Sequence, residues 1–301
     1  MVASTHTKVP PPVKRKVVLV TGITGQQGGH VARRLLQRGH QVRALVRNLQ
    51  NPKLEEFRTQ EVEFVAGDFE DSGATGRAAR GVDAMFLMGT SFEGGPEAET
   101  RQGIAAIDAA RSAGVPWLVY SSVGSANQRT GIPHFESKFA VEEHLRRSGL
   151  PFAISAPTSF MENVRAPYAL PALRQGKFAT GASRDRAIQM VALDDLSAFV
   201  THVLENPSEF AGKRIDVASD SLNGGEVAQT LSDVSGRTIE YQQIPIDVLR
   251  KQNPDLAKMF EWFGRDGYTA DIEGLRREYP EIGWQRFREW ASRQDLPRLL
   301  S

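Results

Sequence analysis

The 301-residue sequence contains no cysteine. That absence excludes disulfides, thiolate-bound metal and a cysteine nucleophile together, and it suits a reducing compartment. A dominant charge is also missing. Lys and Arg number 37 against 36 Asp and Glu, a formal net charge of +1. Arg146-Arg147 and Arg276-Arg277 are isolated pairs rather than a basic track, so contact with nucleic acid is not expected. No apolar run approaches the roughly 20 residues that cross a bilayer. The segment Met1 to Arg15 is polar and then proline-rich (Pro10, Pro11, Pro12), without the apolar stretch of a signal peptide. A cytoplasmic protein is therefore expected, with no membrane contact and with residues 1–14 as a flexible tail. The six histidines show no ligand spacing, and without cysteine a zinc site is not expected. No Gly-x-Ser-x-Gly nucleophile elbow occurs.

What is present is a regular alternation. Lys16–Val20, Gln41–Val46, Val62–Val65, Ala84–Met88, Trp117–Ser121 and Phe152–Ala156 are short apolar or β-branched runs that predict six strands. Helical patterns lie between them, at Gly28–Arg38, about 52–58, 73–80 and 97–113, and His134–Ser148. Gly39, Gly114 with Pro116, and Gly149 act as stops. Strands that are apolar throughout and separated by helices predict a parallel sheet covered on both faces. Right-handed crossovers make it a doubly wound α/β sheet. Ligands of such sheets bind outside the carboxyl ends of the strands. The loops after residues 20, 46, 65, 88, 121 and 156 should therefore surround one crevice.

The pattern loosens after residue 157. A loop-rich stretch to about 186 precedes a strand (Ala187–Leu193), a helix (Asp194–Leu204, with Asp194 or Asp195 as N-cap) and a strand (Arg214–Val217). A helix near 223–235 and a strand at Thr238–Ile244 follow. The remainder is mostly helical and carries Trp262, Trp284 and Trp290, three of the four tryptophans. The expected division is a nucleotide-binding domain over 15–156 and a smaller, mostly helical C-terminal lobe over 157–301. Segments within about 187–217 are expected to return to the sheet.

The first strand runs into Thr21-Gly22-Ile23-Thr24-Gly25-Gln26-Gln27-Gly28-Gly29 and then a helix. Gly22 permits the tight turn, Gly25 lets a diphosphate approach the backbone, and Gly28 lets helix and strand pack closely. The anion would lie on the helix N-terminus, where N–H groups lack intrahelical partners. Gly22, Thr24, Gly25, Gln26, Gln27 and Gly28 are thus candidate dinucleotide contacts in a Rossmann domain. The second strand ends in Arg47-Asn48, where NAD-specific folds carry Asp or Glu. No carboxylate occurs between Met1 and Gln50. A guanidinium there suits a 2′-phosphate, so NADP(H) is favoured over NAD(H), with Lys53 as a further cation. Asp68-Phe69, after strand three, should flank the adenine, with a turn or cap role for Asp68 equally open. Gly89-Thr90, after strand four, is small enough to line the diphosphate and ribose.

Several segments resemble the NmrA-like family, an atypical branch of the short-chain dehydrogenase/reductase superfamily. They are the glycine loop, Arg47-Asn48, Gly67-Asp68, His134-Phe135-x-x-Lys138 with Val141-Glu142, Pro157-x-x-Phe160-Met161-Glu162-Asn163, Ser235-Gly236-Arg237, and Trp262-Phe263 with Gly267-Tyr268. The likeness spans roughly residues 16–292. It implies NADP(H) between a Rossmann domain and a small lobe, serving either as reductant or as the signal of a redox sensor that docks a partner. Typical short-chain reductases carry Tyr-x-x-x-Lys on the helix after strand five; here Lys138 is matched and His134 stands at the tyrosine position. Imidazolium is a competent acid near neutral pH. Lys138, His134 and Ser122 are therefore the candidate catalytic residues, with Lys138 also on the nicotinamide ribose and Pro157 and Phe160 lining the nicotinamide pocket. Glu142-Glu143 reads as a solvated helix face. Two functions follow: an NADPH-dependent oxidoreductase for a small apolar or aromatic carbonyl, enone or quinone, or an NADPH/NADP⁺ sensor that regulates a protein partner. Monomer and dimer both remain open.

Overall fold

The structure is a computed structural model that describes residues 14–300. The expected tail, apart from Lys14, lies outside the described residues. The first half alternates as anticipated: β1 (Val17–Thr21), α1 (Gln26–Gln37), β2 (Gln41–Val46), α2 (Glu55–Arg58), β3 (Glu63–Ala66), α3 (Ser72–Ala79), β4 (Ala84–Met88), α4 (Gly95–Ser112), β5 (Leu118–Ser121), α5 (Pro133–Arg147) and β6 (Phe152–Pro157). The second half continues with β7 (Ser159–Phe160), α6 (Leu170–Arg174), β8 (Lys177–Thr180), β9 (Ile188–Val191), α7 (Leu193–Glu205), α8 (Pro207–Phe210) and β10 (Arg214–Val217). It closes with β11 (Asp220–Leu222), α9 (Gly224–Ser235), β12 (Glu240–Gln243), α10 (Ile246–Gln252), α11 (Pro254–Arg265), α12 (Ile272–Glu278), α13 (Phe287–Ser292) and α14 (Leu296–Leu299).

Seven strands form one parallel sheet in the order β10-β6-β5-β4-β1-β2-β3. The order reverses between β1 and β4, which opens the ligand crevice above their carboxyl ends. Successive residues of a strand face opposite sides, and two apolar layers result. Val18, Val20, Ala44, Val119 and Ala153 meet α1 and α7 on one side. Leu19, Met85, Leu87, Leu118 and Ile154 meet the buried residues of α3, α4 and α5 on the other. Val31, Ala32 and Leu35 of α1 are fully buried; each such Val or Leu contributes about 1.5–3 kcal/mol.

The segment expected to return to the sheet divides. The strand at 214–217 does so as the edge partner of β6. The strand at 188–191 instead pairs with β7 and β11 in a separate three-stranded sheet. Helix α7 lies against α1 on the large sheet, through Leu196, Phe199, Val200 and Val203. Its N-cap is Ala192, not Asp194 or Asp195. The Asp195 carboxylate is buried and accepts hydrogen bonds from Ser219 Oγ (2.6 Å) and from Gln285 N and Nε2 (2.8 and 2.7 Å). The Leu193 N–H is met by Glu162 Oε1 at 3.1 Å, and Glu162 also accepts from Trp290 Nε1 at 2.9 Å. Burial pushes the Glu162 carboxyl up in pKa, against these hydrogen bonds.

The C-terminal region is mainly helical, with β12 and β8 forming a further two-stranded sheet. It is not wholly a separate lobe. Leu275, Tyr279 and Trp284 belong to the apolar layer under α7 and β1, whereas Trp290 packs with Phe287 and α9. Trp262 and Phe263 of α11 pack with Ala126, Ile132 and Phe135 beside the end of β5.

Candidate functional site

β1 delivers the chain to the glycine loop. Thr21 Oγ1 accepts the Met88 N–H at 2.8 Å and ties the ends of β1 and β4 together. Gly22 has φ +69°, and a Cβ there would lie 2.3 Å from Met88 Sδ, so this turn requires glycine. Gly28 is required for a different reason: its Cβ would lie 2.3 Å from the Gly22 carbonyl oxygen and 2.6 Å from that of Thr21. Gly25 is looser. Its Cβ would meet only Gly22 O, at 3.2 Å, and its face is otherwise open. No side chain caps α1 and its first turn holds no acid. The leading N–H groups are thus left for an anion approaching from the crevice. Gly25 and Gln26 are exposed and Thr24 is half-buried. Gln27 is buried instead, and its Nε2 donates to Ser121 Oγ at 2.5 Å, joining the loop to the end of β5.

At the end of β2 the Arg47 guanidinium points outward, its side chain 65% exposed. Both of its arms lie on Glu93: Nη2 donates to Oε1 at 2.9 Å, and Nη1 to Oε2. Asn48 Oδ1 accepts the Gln50 N–H at 2.8 Å. Asp68 serves a turn, accepting from Glu70 N at 2.9 Å and Asp71 N at 3.2 Å, while Phe69 packs on the α3–α4 side of the sheet. Gly89 offers its carbonyl to Lys138, and Thr90 Oγ1 accepts the Phe92 N–H at 3.3 Å.

Helix α5 carries His134 and Lys138 four residues apart, on one face. Lys138 Nζ donates to Glu99 Oε1 at 2.6 Å and to Gly89 O at 3.3 Å. Glu99 is buried and also accepts from Ser137 Oγ at 2.6 Å. His134 Nδ1 lies 2.7 Å from Asp255 Oδ1, so a residue of α11 holds the imidazole from across the crevice.

The profile of the NmrA-like family matches residues 14–291. The chain belongs to the NmrA-like family. A Streptomyces griseus relative, (4-alkanoyl-5-oxo-2,5-dihydrofuran-3-yl)methyl phosphate reductase, is 28% identical over 92% of this chain and 97% of its own. The NADPH complex of an Escherichia coli NADPH-dependent quinone oxidoreductase superposes with TM-score 0.77 at 25% identity, covering 92% of this chain and 98% of that one. NmrA, a negative transcriptional regulator solved with NADP, superposes with TM-score 0.77 at 22% identity over 93% of this chain and 95% of that one.

Within this NmrA-like site two sequence-based expectations need correction. Glu142 is not on a solvated face; it is fully buried. Ser122, expected beside the nicotinamide, donates its hydroxyl to Glu142. Arg214 of β10 closes the network, with Nε 3.0 Å from Glu142 Oε2, Nη1 on Asp216 and Nη2 on Val123 O at 2.9 Å. Burial raises the Glu142 carboxyl, and the Arg214 charge and the Ser122 and Arg214 hydrogen bonds oppose that rise. Ser122 therefore ties the loop after β5 to α5 through Glu142. Pro157 is buried at the end of β6 and its carbonyl accepts the Gly124 N–H at 2.8 Å. Phe160 packs half-buried against the α1–α7 layer.

Sequence reasoning did not single out Glu99, Glu93, Arg214 or Asp255. Glu99 had a signal: with Gly103, Ala106 and Ala110 it falls on the buried stripe of α4, at helical spacing. Gly103 marks how close the helices come, since a Cβ there would lie 2.6 Å from Val141. Tyr268 was noticed only as part of the resemblance. Its ring lies parallel to Phe135 at 6.2 Å and against Gly124, and burial, with Asp216 nearby, pushes its hydroxyl up in pKa. Among the described residues no cluster of His, Asp and Glu could hold a metal, and no helix is long and apolar enough to cross a membrane.

Proposed function

We propose that this NmrA-like chain binds NADP(H) and uses it to reduce a small apolar or aromatic carbonyl, enone or quinone. The observation that carries the reading is the uncapped, acid-free start of α1 beside the Arg47 guanidinium at the end of β2. Those two features suit a diphosphate and a 2′-phosphate respectively. Gly25 leaves room for the first, because its side is open where a Cβ would stand. Asp68 and Phe69 would border the adenine, and Gly89 and Thr90 the ribose.

When bound, the dihydronicotinamide supplies a hydride. Lys138 has three N–H groups; two meet Glu99 and Gly89, which leaves one for a ribose hydroxyl. Asp255 accepts from His134 Nδ1 and would stabilise the imidazolium. A protonated His134 would then donate from Nε2 to the substrate oxygen while the substrate carbon accepts the hydride. His134 regains its proton from water, so charge and protons balance. Phe160 and the apolar group around Tyr268 and Trp262 would exclude water from the reacting carbon. The Streptomyces reductase and the quinone oxidoreductase, both similar to this chain, support this class of reaction.

The second reading, a sensor that docks a protein partner according to NADP(H) state, is favoured by histidine in place of the usual tyrosine and by the likeness to the regulator NmrA. A panel of quinones, enones and ketones with NADPH separates the two. Turnover that fails in His134→Gln while NADPH binding persists supports the reductase. Tight NADPH binding with no turnover on any acceptor overturns it in favour of the sensor.

A further inference from the structure

Glu93 engages Arg47, the residue read above as the partner of a 2′-phosphate. At the end of β2 both arms of the Arg47 guanidinium are taken by the two Glu93 oxygens. Carboxylate and phosphate are recognised by the same planar fork. They therefore compete for Arg47. The contact lowers the Glu93 carboxyl through the hydrogen bond and charge of Arg47, so Glu93 is the ionised competitor at neutral pH.

The segment that carries Glu93 is tied to the rest of the chain by the Gly89 carbonyl on Lys138 and by Glu93 on Arg47. It joins β4 to α4, directly over the crevice. Its internal contacts are local: Phe92 N to Thr90 Oγ1 at 3.3 Å and Gly95 N to Ser91 O at 2.9 Å. Gly94 and Gly95 follow at the start of α4, the latter at φ +82°, a backbone conformation that glycine adopts without strain. Phe92 is 91% exposed, so no apolar anchoring opposes displacement. The pair is itself accessible, with the two side chains 65% and 59% exposed, and exposed pairs are weak.

We propose that Glu93 is a specificity-determining residue that closes the 2′-phosphate site on itself, and that NADP(H) binding displaces Glu93 and its loop from Arg47. The proposal rests on the reading that Arg47 meets the 2′-phosphate. A cofactor with a free 2′-hydroxyl has no need to displace Glu93, whose carboxylate can accept from that hydroxyl. The residue thus trims the preference for NADP(H), and it makes the position of the β4–α4 loop depend on which dinucleotide is bound.

Calorimetry with NADP⁺, NAD⁺ and adenosine 2′,5′-bisphosphate, on the full chain and on Glu93→Gln, Glu93→Ala and Arg47→Ala, tests this. Both Glu93 variants should bind the two 2′-phosphorylated probes about twofold to fivefold more tightly, and NAD⁺ no more tightly. Chymotrypsin should cleave after Phe92 severalfold faster with NADP⁺ bound than with NAD⁺. If Arg47→Ala loses NADP⁺ selectively but neither Glu93 variant gains it, the competition is overturned and the role of Arg47 stands. If Arg47→Ala weakens NADP⁺ and NAD⁺ equally, the assignment of Arg47 fails and the proposal with it. Equal cleavage in the two complexes overturns loop displacement.

Discussion

Lys138 and Glu99, 39 residues apart, join α5 to α4 through a 2.6 Å ion pair in which the carboxylate is only 1% exposed. The lysine that would hold a ribose is thus also the counter-ion of a buried acid. Lys138→Ala should cost about 3–5 kcal/mol, because it strands that charge. The double variant Lys138→Met with Glu99→Gln should recover most of the loss. Urea midpoints decide this, and equal stability of single and double variants refutes it. Cofactor titration belongs on the double variant, where loss of affinity is not confused with loss of fold.

Gly25 and Gly28 should separate binding from folding. Gly28→Ala drives a methyl into two backbone carbonyls and should cost roughly 1–3 kcal/mol. Gly25→Ala meets one carbonyl at 3.2 Å. It should change stability by less than about 1 kcal/mol but weaken NADPH about tenfold, since the methyl stands where a diphosphate approaches. Denaturation and calorimetry on both variants provide the check. Unchanged NADPH affinity in Gly25→Ala would count against the loop as the diphosphate site.

His134 and Asp255 should affect chemistry rather than cofactor affinity. His134→Gln should lower kcat roughly a hundredfold or more, with NADPH affinity nearly unchanged. Asp255→Ala should lower kcat less, and Asp255→Glu should restore part of it, because the carboxylate orients the ring and steadies the imidazolium but passes no proton to the substrate. Nitrogen-15 spectra of the His134 ring should show the hydrogen on Nδ1 in the neutral form. A loss confined to KM would argue that the pair merely closes the crevice.

Glu205 predicts a pH dependence. It joins the end of α7 to Arg38 Nε at 2.9 Å and to His40 Nε2 at 3.0 Å. Burial pushes the carboxyl up, but the hydrogen bonds and charges of His40 and Arg38 outweigh that and hold it at about 2, against an ordinary 4.5. A depressed folded-state value means the stability is present above pH 4.5 and is lost as pH falls towards 2. Glu205→Gln should therefore be less stable by about 2 kcal/mol at pH 7, with the gap closing below pH 4.5. A gap that is constant from pH 7 to pH 3 would contradict this.

The large sheet was legible because its central strands are apolar on both sides, a local property of the sequence. The partner of a strand is not local. Ile188–Val191 reads as a strand from its own residues, yet nothing in them specifies pairing with β7 and β11 rather than with the large sheet. Helix α7 was located, but its cap was not, since the carboxylate that meets Leu193 N belongs to Glu162, 31 residues earlier. Glu142 was misjudged by residue type. Its neighbours Val141 and Leu145 are buried, and that spacing placed Glu142 at the packed edge of α5, where Arg214 makes burial tolerable. The Asp255–His134 contact spans 121 residues and left no trace in either segment.

The apolar layer that joins Leu275, Tyr279 and Trp284 to β1, α1 and α7 bears on biosynthesis. A nascent chain with β1 to β6 complete has that side of its sheet covered only by α1 and α2 until α7 arrives, and the side is not fully sealed until Trp284 emerges. During translation that oily flank invites chaperones or mispairing. A gene cut after codon 156 would leave that flank permanently without α7, Tyr279 and Trp284.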